Sequence, residues 1–148
     1  MSLITRKDVP LEETWDLTHI FASDEEWEMS YIQVDQDLNE ILHGTVHLDS
    51  GKSILELLHR YDRLMEKFSR TSSYAFYKYS EDGTDSDNQK MKGRSQTLAK
   101  KTYNISTMIV NRFLQLPKGV LKKYMEEEKV RKPIIDLWKK LRRFAIIH

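Results

Sequence analysis

Two long helix-patterned stretches, separated by one turn signal, constrain this chain more than any other feature. From Ser50 or Ser53 to about Ser80, Ile54, Leu55, Leu58, Tyr61, Leu64, Met65, Phe68, Ala75, Phe76 and Tyr79 recur at steps of three and four. This spacing is that of one buried helical face. Asp82-Gly83 in "EDGTDSDN" then breaks the pattern, because such a dipeptide favours a turn. A second stretch starts around Asp85 to Asp87 and runs to about Leu116, with a seam of Met91, Leu98, Thr102, Ile105, Ile109, Phe113 and Leu116 and the small Ser95 between its first two members. At roughly 1.5 Å per residue each helix would extend about 40 Å, and the pair would form a long antiparallel hairpin.

The flanking segments extend the pattern. Ser23 and Glu26 in "SDEEWE" form a capping box, in which each residue satisfies an unpaired N–H of a helix start. Trp27, Tyr31, Val34, Leu38, Ile41 and Leu42 then mark one stripe, and Gly44 is expected to end the helix in the left-handed conformation. After Pro117, a short amphipathic helix should carry Val120, Leu121, Tyr124 and Met125 inward. A last helix is expected to begin near Pro133, which suits a first turn, and to carry Ile134, Ile135, Trp138, Leu141 and Ala145. The expected fold is all-α, a helical bundle of about five helices in one domain, residues 1–148. No internal repeat or low-complexity segment interrupts it.

Composition supports this reading and excludes several functions. Only 5 glycines and 3 prolines leave room for long helices. The absence of cysteine excludes disulfides and thiolate metal sites and fits a reducing cytosol. "MSLITRKDVP" has no apolar signal core, and no run is long enough to span a membrane. The chain is therefore expected to be cytoplasmic. Its net charge of +1 conceals an asymmetry: residues 1–50 hold 12 acidic side chains against Arg6 and Lys7, and the remainder holds 22 basic against 11 acidic. Either the acidic front packs against the basic remainder, or the basic part faces an anionic partner. The apolar stripes on both favour packing.

Few residues form a chemical motif. "HGTVH" places His43 and His47 at the spacing of a helical zinc-peptidase signature. Such a site needs both rings on one helix and a Glu after the first His to polarise water. Here Gly44 holds that position and breaks the helix, so the pair reads as part of a connector. His19, His59 and His148 are scattered, none beside a Ser or acid in a recognisable nucleophile arrangement, and Gly83 and Gly93 are isolated. "EDGTDSD" lacks the full loop and terminal Glu of a calcium site and reads as a solvated turn. In "KVRKPIIDLWKKLRRF", Lys139, Lys140, Arg142 and Arg143 flank Trp138 and Phe144. This pattern fits an amphipathic helix with a cationic outer face, near which the acidic first segment could lie. Tyr74, Tyr77 and Tyr79 read as core or rim packing rather than as base-stacking groups.

"RKDVPLEETWDLTHIFASDEEWE" resembles the opening of the oligoendopeptidase F group of zinc metallopeptidases, related to thimet oligopeptidase. The likeness rests on Arg6, Val9-Pro10, Thr14-Trp15-Asp16-Leu17, Phe21 with Ser23-Asp24, and Glu26-Trp27. It continues through "YAFYKYSEDGTDSDNQ", "LQLPKGVLKKYMEEE" and "LRRFAIIH". Where the family commonly has Pro-Glu before "LQLP", this chain has Asn111-Arg112.

The resemblance implies the N-terminal helical lobe of a peptidase, which walls a cleft admitting short peptides. In the family, zinc is held by a His-Glu-x-x-His helix and a further Glu in a downstream catalytic domain. That motif does not occur in this sequence. The expectation is a truncated, non-catalytic lobe with no catalytic, cofactor-binding or metal-binding residue. Its implied partners are the parent's catalytic domain and, in the complete enzyme, short peptides. A membrane or nucleic-acid partner is not expected, and apolar surface left by a missing partner would favour homo-oligomers. The competing expectation is a free-standing helical module whose basic C-terminal helix binds an acidic protein or nucleic acid.

Overall fold

The computed structural model describes Ile4 and residues 6–126 and 128–147, with the side chains of residues 128, 129, 142 and 144–147 left aside. Three short 3-10 turns come first, at Arg6–Asp8, Leu11–Glu13 and Leu17–His19. Five α-helices follow: α1 Asp24–His43, α2 Gly51–Glu81, α3 Ser86–Leu114, α4 Val120–Tyr124 and α5 Glu128–Ile147. The fold is an all-α helical bundle.

Local chemistry sets most helix ends. The Ser23 hydroxyl accepts from the Glu26 N–H at 3.2 Å, while the Glu26 carboxylate reaches back one residue further than a standard box, to the N–H of Ala22. At α2, Ser50 and Ser53 cap each other reciprocally. The Asp85 carboxylate starts α3 by accepting from the N–H groups of Asp87 and Asn88, both at 2.9 Å. Asn88 also closes the hairpin, donating to the carbonyls of Lys78 and Asp82 at the end of α2.

Ion pairs reveal how the helices run. Along α1, Asp24, Asp37 and Glu40 meet Lys78, Lys67 and Arg60 of α2 in reverse order, so the two helices are antiparallel. Glu28 and Asp35 meet Arg94 and Lys101 of α3 in the same order, so α1 and α3 are parallel. Val130 of α5 lies beside Gly51, and Lys140 pairs with Asp62 at 3.2 Å, which makes α5 parallel to α2. The result is an up-down-up-down arrangement around the α2–α3 hairpin. The acidic first helix packs against basic helices within one fold.

The main core joins all four long helices. It includes Val34, Leu38, Ile54, Leu58, Leu98, Ile105, Ile109, Ile134 and Leu141, each essentially inaccessible to water. Burial of each such side chain contributes about 1.5–3 kcal/mol. A satellite core of Trp27, Tyr74, Ala75 and Met91 sits under the N-terminal segment, with Leu17, Ile20, Phe21 and Tyr31 at its margin.

Four expectations need correction. Phe76 is 58% exposed rather than internal. The neighbouring Tyr74 and Ala75 occupy the buried face, and one further residue turns about 100° away from it. Gly44 has φ −81°, not a left-handed value. A side chain is excluded there for another reason, since an added Cβ would stand 2.4 Å from the Glu40 carbonyl oxygen. The last helix starts at Glu128, leaving Pro133 inside it. Val130 explains the extension, because it is buried against the first turn of α2 and draws the added turn onto the bundle. Finally, α3 stops at Leu114, short of Leu116.

Candidate functional site

The 3-10 turns form a strap that crosses the end of the bundle where α1 begins, α2 ends and α3 begins. Its hold on α2 is specific. Arg6 pairs with Glu81 at 3.4 Å, the Arg70 guanidinium donates to the Ile20 carbonyl at 2.8 Å, and Phe21 meets Tyr74 edge-on at 5.5 Å. The Arg70 guanidinium also lies over the Phe21 ring at 5.4 Å. Within the strap, the Asp16 carboxylate accepts from the hydroxyl and N–H of Thr18. These bonds hold the Asp16 carboxyl below its usual range.

Between strap and helix lies an open cleft of about 760 Å³. Trp15, Phe21 and Tyr74 supply apolar wall, and Glu12, Asp16 and Lys78 supply charge. At its floor the Tyr74 hydroxyl donates to Asp24 at 2.6 Å, with Lys78 3.4 Å from the same carboxylate oxygen. Burial, followed by the Asp24 carboxylate, pushes the Tyr74 phenol well above its ordinary value. On the other side of Trp15 a smaller cavity of about 250 Å³ is lined by Val9, Glu13, Tyr77 and Ser80. Trp15 and the Arg6–Glu81 pair belong to both cavities. The arrangement can bind and orient a ligand by shape, charge and aromatic contact.

A second polar cluster braces the same end. Arg94 holds the Glu28 carboxylate with two bonds of 2.5 and 2.6 Å and lies over the rings of Tyr31 and Trp27 at 4.0 and 5.2 Å. These bonds depress the Glu28 carboxyl. The Trp27 indole donates to the Thr71 carbonyl at 2.8 Å. These contacts satisfy the polar edge of a buried ring.

The residues singled out in sequence are dispersed. His43 is the exposed last residue of α1, and His47 is exposed in the extended connector beyond Gly44. They do not share a helix. His19 and His59 are also exposed, and His148 lies outside the described residues. Among the described residues no three His, Cys, Asp or Glu side chains group as metal ligands. The arrangement does not fit a zinc-peptidase centre. In "EDGTDSD", Asp82 accepts from the N–H and hydroxyl of Thr84, and Asp85 caps α3, so the carboxylates build a turn.

The aromatics of "SYAFYKY" pack: Tyr74 is buried, Tyr77 stacks on Trp15 at 5.1 Å, and Tyr79 lies under Lys92 at 3.7 Å. On α5, Trp138 stacks on Phe113, Lys139 and Arg143 are exposed, and Lys140 meets Asp62 of α2 instead of an acid of the first segment. The Arg142, Phe144 and Ala145 side chains fall outside the described set. The cleft itself had no local signal. Arg6 and Glu81 are far apart in the chain, and nothing near either residue announces the other.

No family model matches the chain, and no solved structure matches it. Curated proteins do. The plasmid oligoendopeptidase F of Lactococcus lactis subsp. cremoris is 26% identical over 125 residues, covering 82% of this chain and 21% of that protein. Oligopeptidase PepF of Bacillus subtilis is 26% identical over 124 residues, covering 83% of this chain and 18% of that protein. An oligoendopeptidase F homolog of Borreliella burgdorferi is 22% identical over 143 residues, or 95% of this chain and 24% of that protein. The chain thus spans about a fifth of the length of the first two relatives. Low in identity but consistent in name, these curated homologues, named oligoendopeptidase F or PepF, cover about four-fifths of this chain.

Proposed function

We propose that this chain is the non-catalytic, N-terminal helical lobe of an oligoendopeptidase F-like zinc peptidase, and that it walls one side of the substrate cleft. The carrying observation is the mismatch in coverage: similarity extends over most of this chain but about a fifth of the relatives. The sequence contains no His-Glu-x-x-His, and its one histidine pair at that spacing is split by a helix end. Zinc, the activated water and peptide hydrolysis would therefore be supplied by a separate catalytic domain, the lobe's main partner. The lobe contributes shape. A rigid bundle narrows the cleft to short peptides, and the protein acts in the cytoplasm.

A chimera tests this reading. The matched segment of Bacillus subtilis oligopeptidase PepF is replaced by this chain, and hydrolysis of a fluorogenic short peptide is measured. The expected result is zinc-dependent cleavage of the peptide and none of a folded protein. A folded chimera that binds zinc but cleaves no peptide would refute the lobe assignment. The isolated chain is expected to cleave nothing, with or without added zinc.

One observation favours a second reading, a free-standing module for an acidic partner. Five cations of α2 and α3 pair with α1 carboxylates, whereas Arg112, Lys118, Lys122, Lys123, Arg131 and Lys132 are exposed and make no ion pair among the described residues. A gel shift with nucleic acid that weakens steeply with salt would support this reading. Absence of binding at low ionic strength would remove its nucleic-acid form.

A further inference from the structure

Large apolar side chains are normally scattered singly over a protein surface. Here three rings make a continuous ledge. Trp15 is 68% exposed and stacks edge-on against Tyr77 at 5.1 Å, and Tyr77 in turn meets Phe76, 58% exposed, at 5.8 Å. The rings come from two separate segments, the strap and the end of α2, so the ledge is a product of the fold. Trp15 lines two cavities and Tyr77 the smaller of them, and the larger falls within the range of about 300–1,000 Å³ usual for small-molecule sites.

Charge identifies the occupant. The cations lining the cavities are already engaged, Arg6 by Glu81 and Lys78 by Asp24. Glu12 lines the larger cavity and Glu13 the smaller; both are exposed and have no cation partner among the described residues. Asp16, on the same strap, is held ionised by Thr18. An anionic ligand would meet uncompensated carboxylates. A cation beside Trp15 would find the indole and Glu12 lining the larger cavity, or the indole and Glu13 lining the smaller one.

We infer that the Trp15–Tyr77–Phe76 ledge, with Glu12 and Glu13 beside it, is a docking site for a polypeptide segment bearing a basic side chain next to an apolar or aromatic one. The ring row takes the apolar side chain, and the strap carboxylates take the ammonium or guanidinium. The inference uses this chain's own residues and stands whether or not the lobe assignment holds.

The test is titration of the intact chain with three capped tripeptides, Phe-Arg-Leu, Phe-Glu-Leu and Ser-Arg-Ser, followed by the NMR signal of the Trp15 indole N–H. A Trp15→Ala variant identifies that signal. The expected result is saturable movement with Phe-Arg-Leu, weaker by about tenfold for each of the other two peptides. Glu12→Lys with Glu13→Lys, both at exposed positions, should abolish the preference for Arg over Glu while leaving the helical spectrum intact. No movement with Phe-Arg-Leu at millimolar concentration would overturn the proposal, as would equal binding of the Glu peptide. If the Trp15 signal moves with protein concentration alone, the ledge belongs to a second copy of the chain and the proposal also fails.

Discussion

The two hydrophobic clusters of this bundle are built on different principles. The main core is mostly aliphatic, with Tyr61, Phe68 and Phe113 among its members, and is made by residues that repeat along four helices, such as Leu38, Leu58, Leu98 and Ile134. The satellite core is aromatic and small, and each large ring keeps a polar contact: Trp27 with Thr71 and Arg94, Tyr74 with Asp24, Phe21 with Arg70. The first holds helices together by area removed from water, which is non-directional. The second joins helix to helix and, through Phe21, seats the strap, by direction as well as area, because hydrogen bonds and ring edges demand particular geometry. Stability resides mainly in one region and the candidate site in the other, where exposed groups and local opening are tolerated.

The sharpest break of this contrast is a cavity in the main core. Leu98→Ala, at a fully buried position, should destabilise the whole bundle by about 2–5 kcal/mol in urea denaturation followed by helical circular dichroism. A loss confined to part of the helical signal would show that the bundle is not one cooperative unit. Next in size, alkaline pH should strain both cores, because the phenols of Tyr61 and Tyr74 are raised above the ordinary value of 10 by burial. The unfolded chain releases these protons more readily, so the contribution is complete below pH 10 and falls as pH rises beyond it. Tyrosinate absorbance should rise together with loss of helix, and Tyr74→Phe should remove part of the effect.

The caps come next. Asp85→Ala removes the acceptor for two N–H groups and should cost about 1 kcal/mol, read as a lower denaturation midpoint. A double-mutant cycle of Glu28→Gln and Arg94→Ala should give a coupling of about 1 kcal/mol or less, since both partners are partly exposed and solvent screens them. Because the Glu28 carboxyl is depressed, that coupling should be present above the ordinary carboxylate range and vanish as pH falls below it. A coupling that persists in acid would assign it to Arg94 packing on Tyr31 and Trp27 rather than to charge.

The helices were legible because each is specified locally. Steps of three and four from Ile54 to Phe68, the Ser23 and Ser50 caps, and the Asp82-Gly83 break each act within a few residues of one another. Legibility failed where a distant partner decided the outcome. Pro133 reads as a helix start until Val130 is seen against Gly51, and Phe76 fits an apolar stripe until Tyr74 turns that face toward the strap. Family likeness was visible in "THR-TRP-ASP-LEU" order at Thr14 to Leu17, but the cleft that this segment forms was not. Its walls depend on pairs such as Arg6 with Glu81 and Trp15 with Tyr77.

By itself, the sequence determined an all-α chain with a long central hairpin and an acidic first helix. Periodicity, caps and breakers are short-range, so they survive without knowledge of the fold. Tertiary structure alone decided that five α1 carboxylates are neutralised by α2 and α3, that Phe76 stays outside, and that strap and helix enclose a cleft. Those outcomes depend on distances between residues far apart in the chain, which only packing sets.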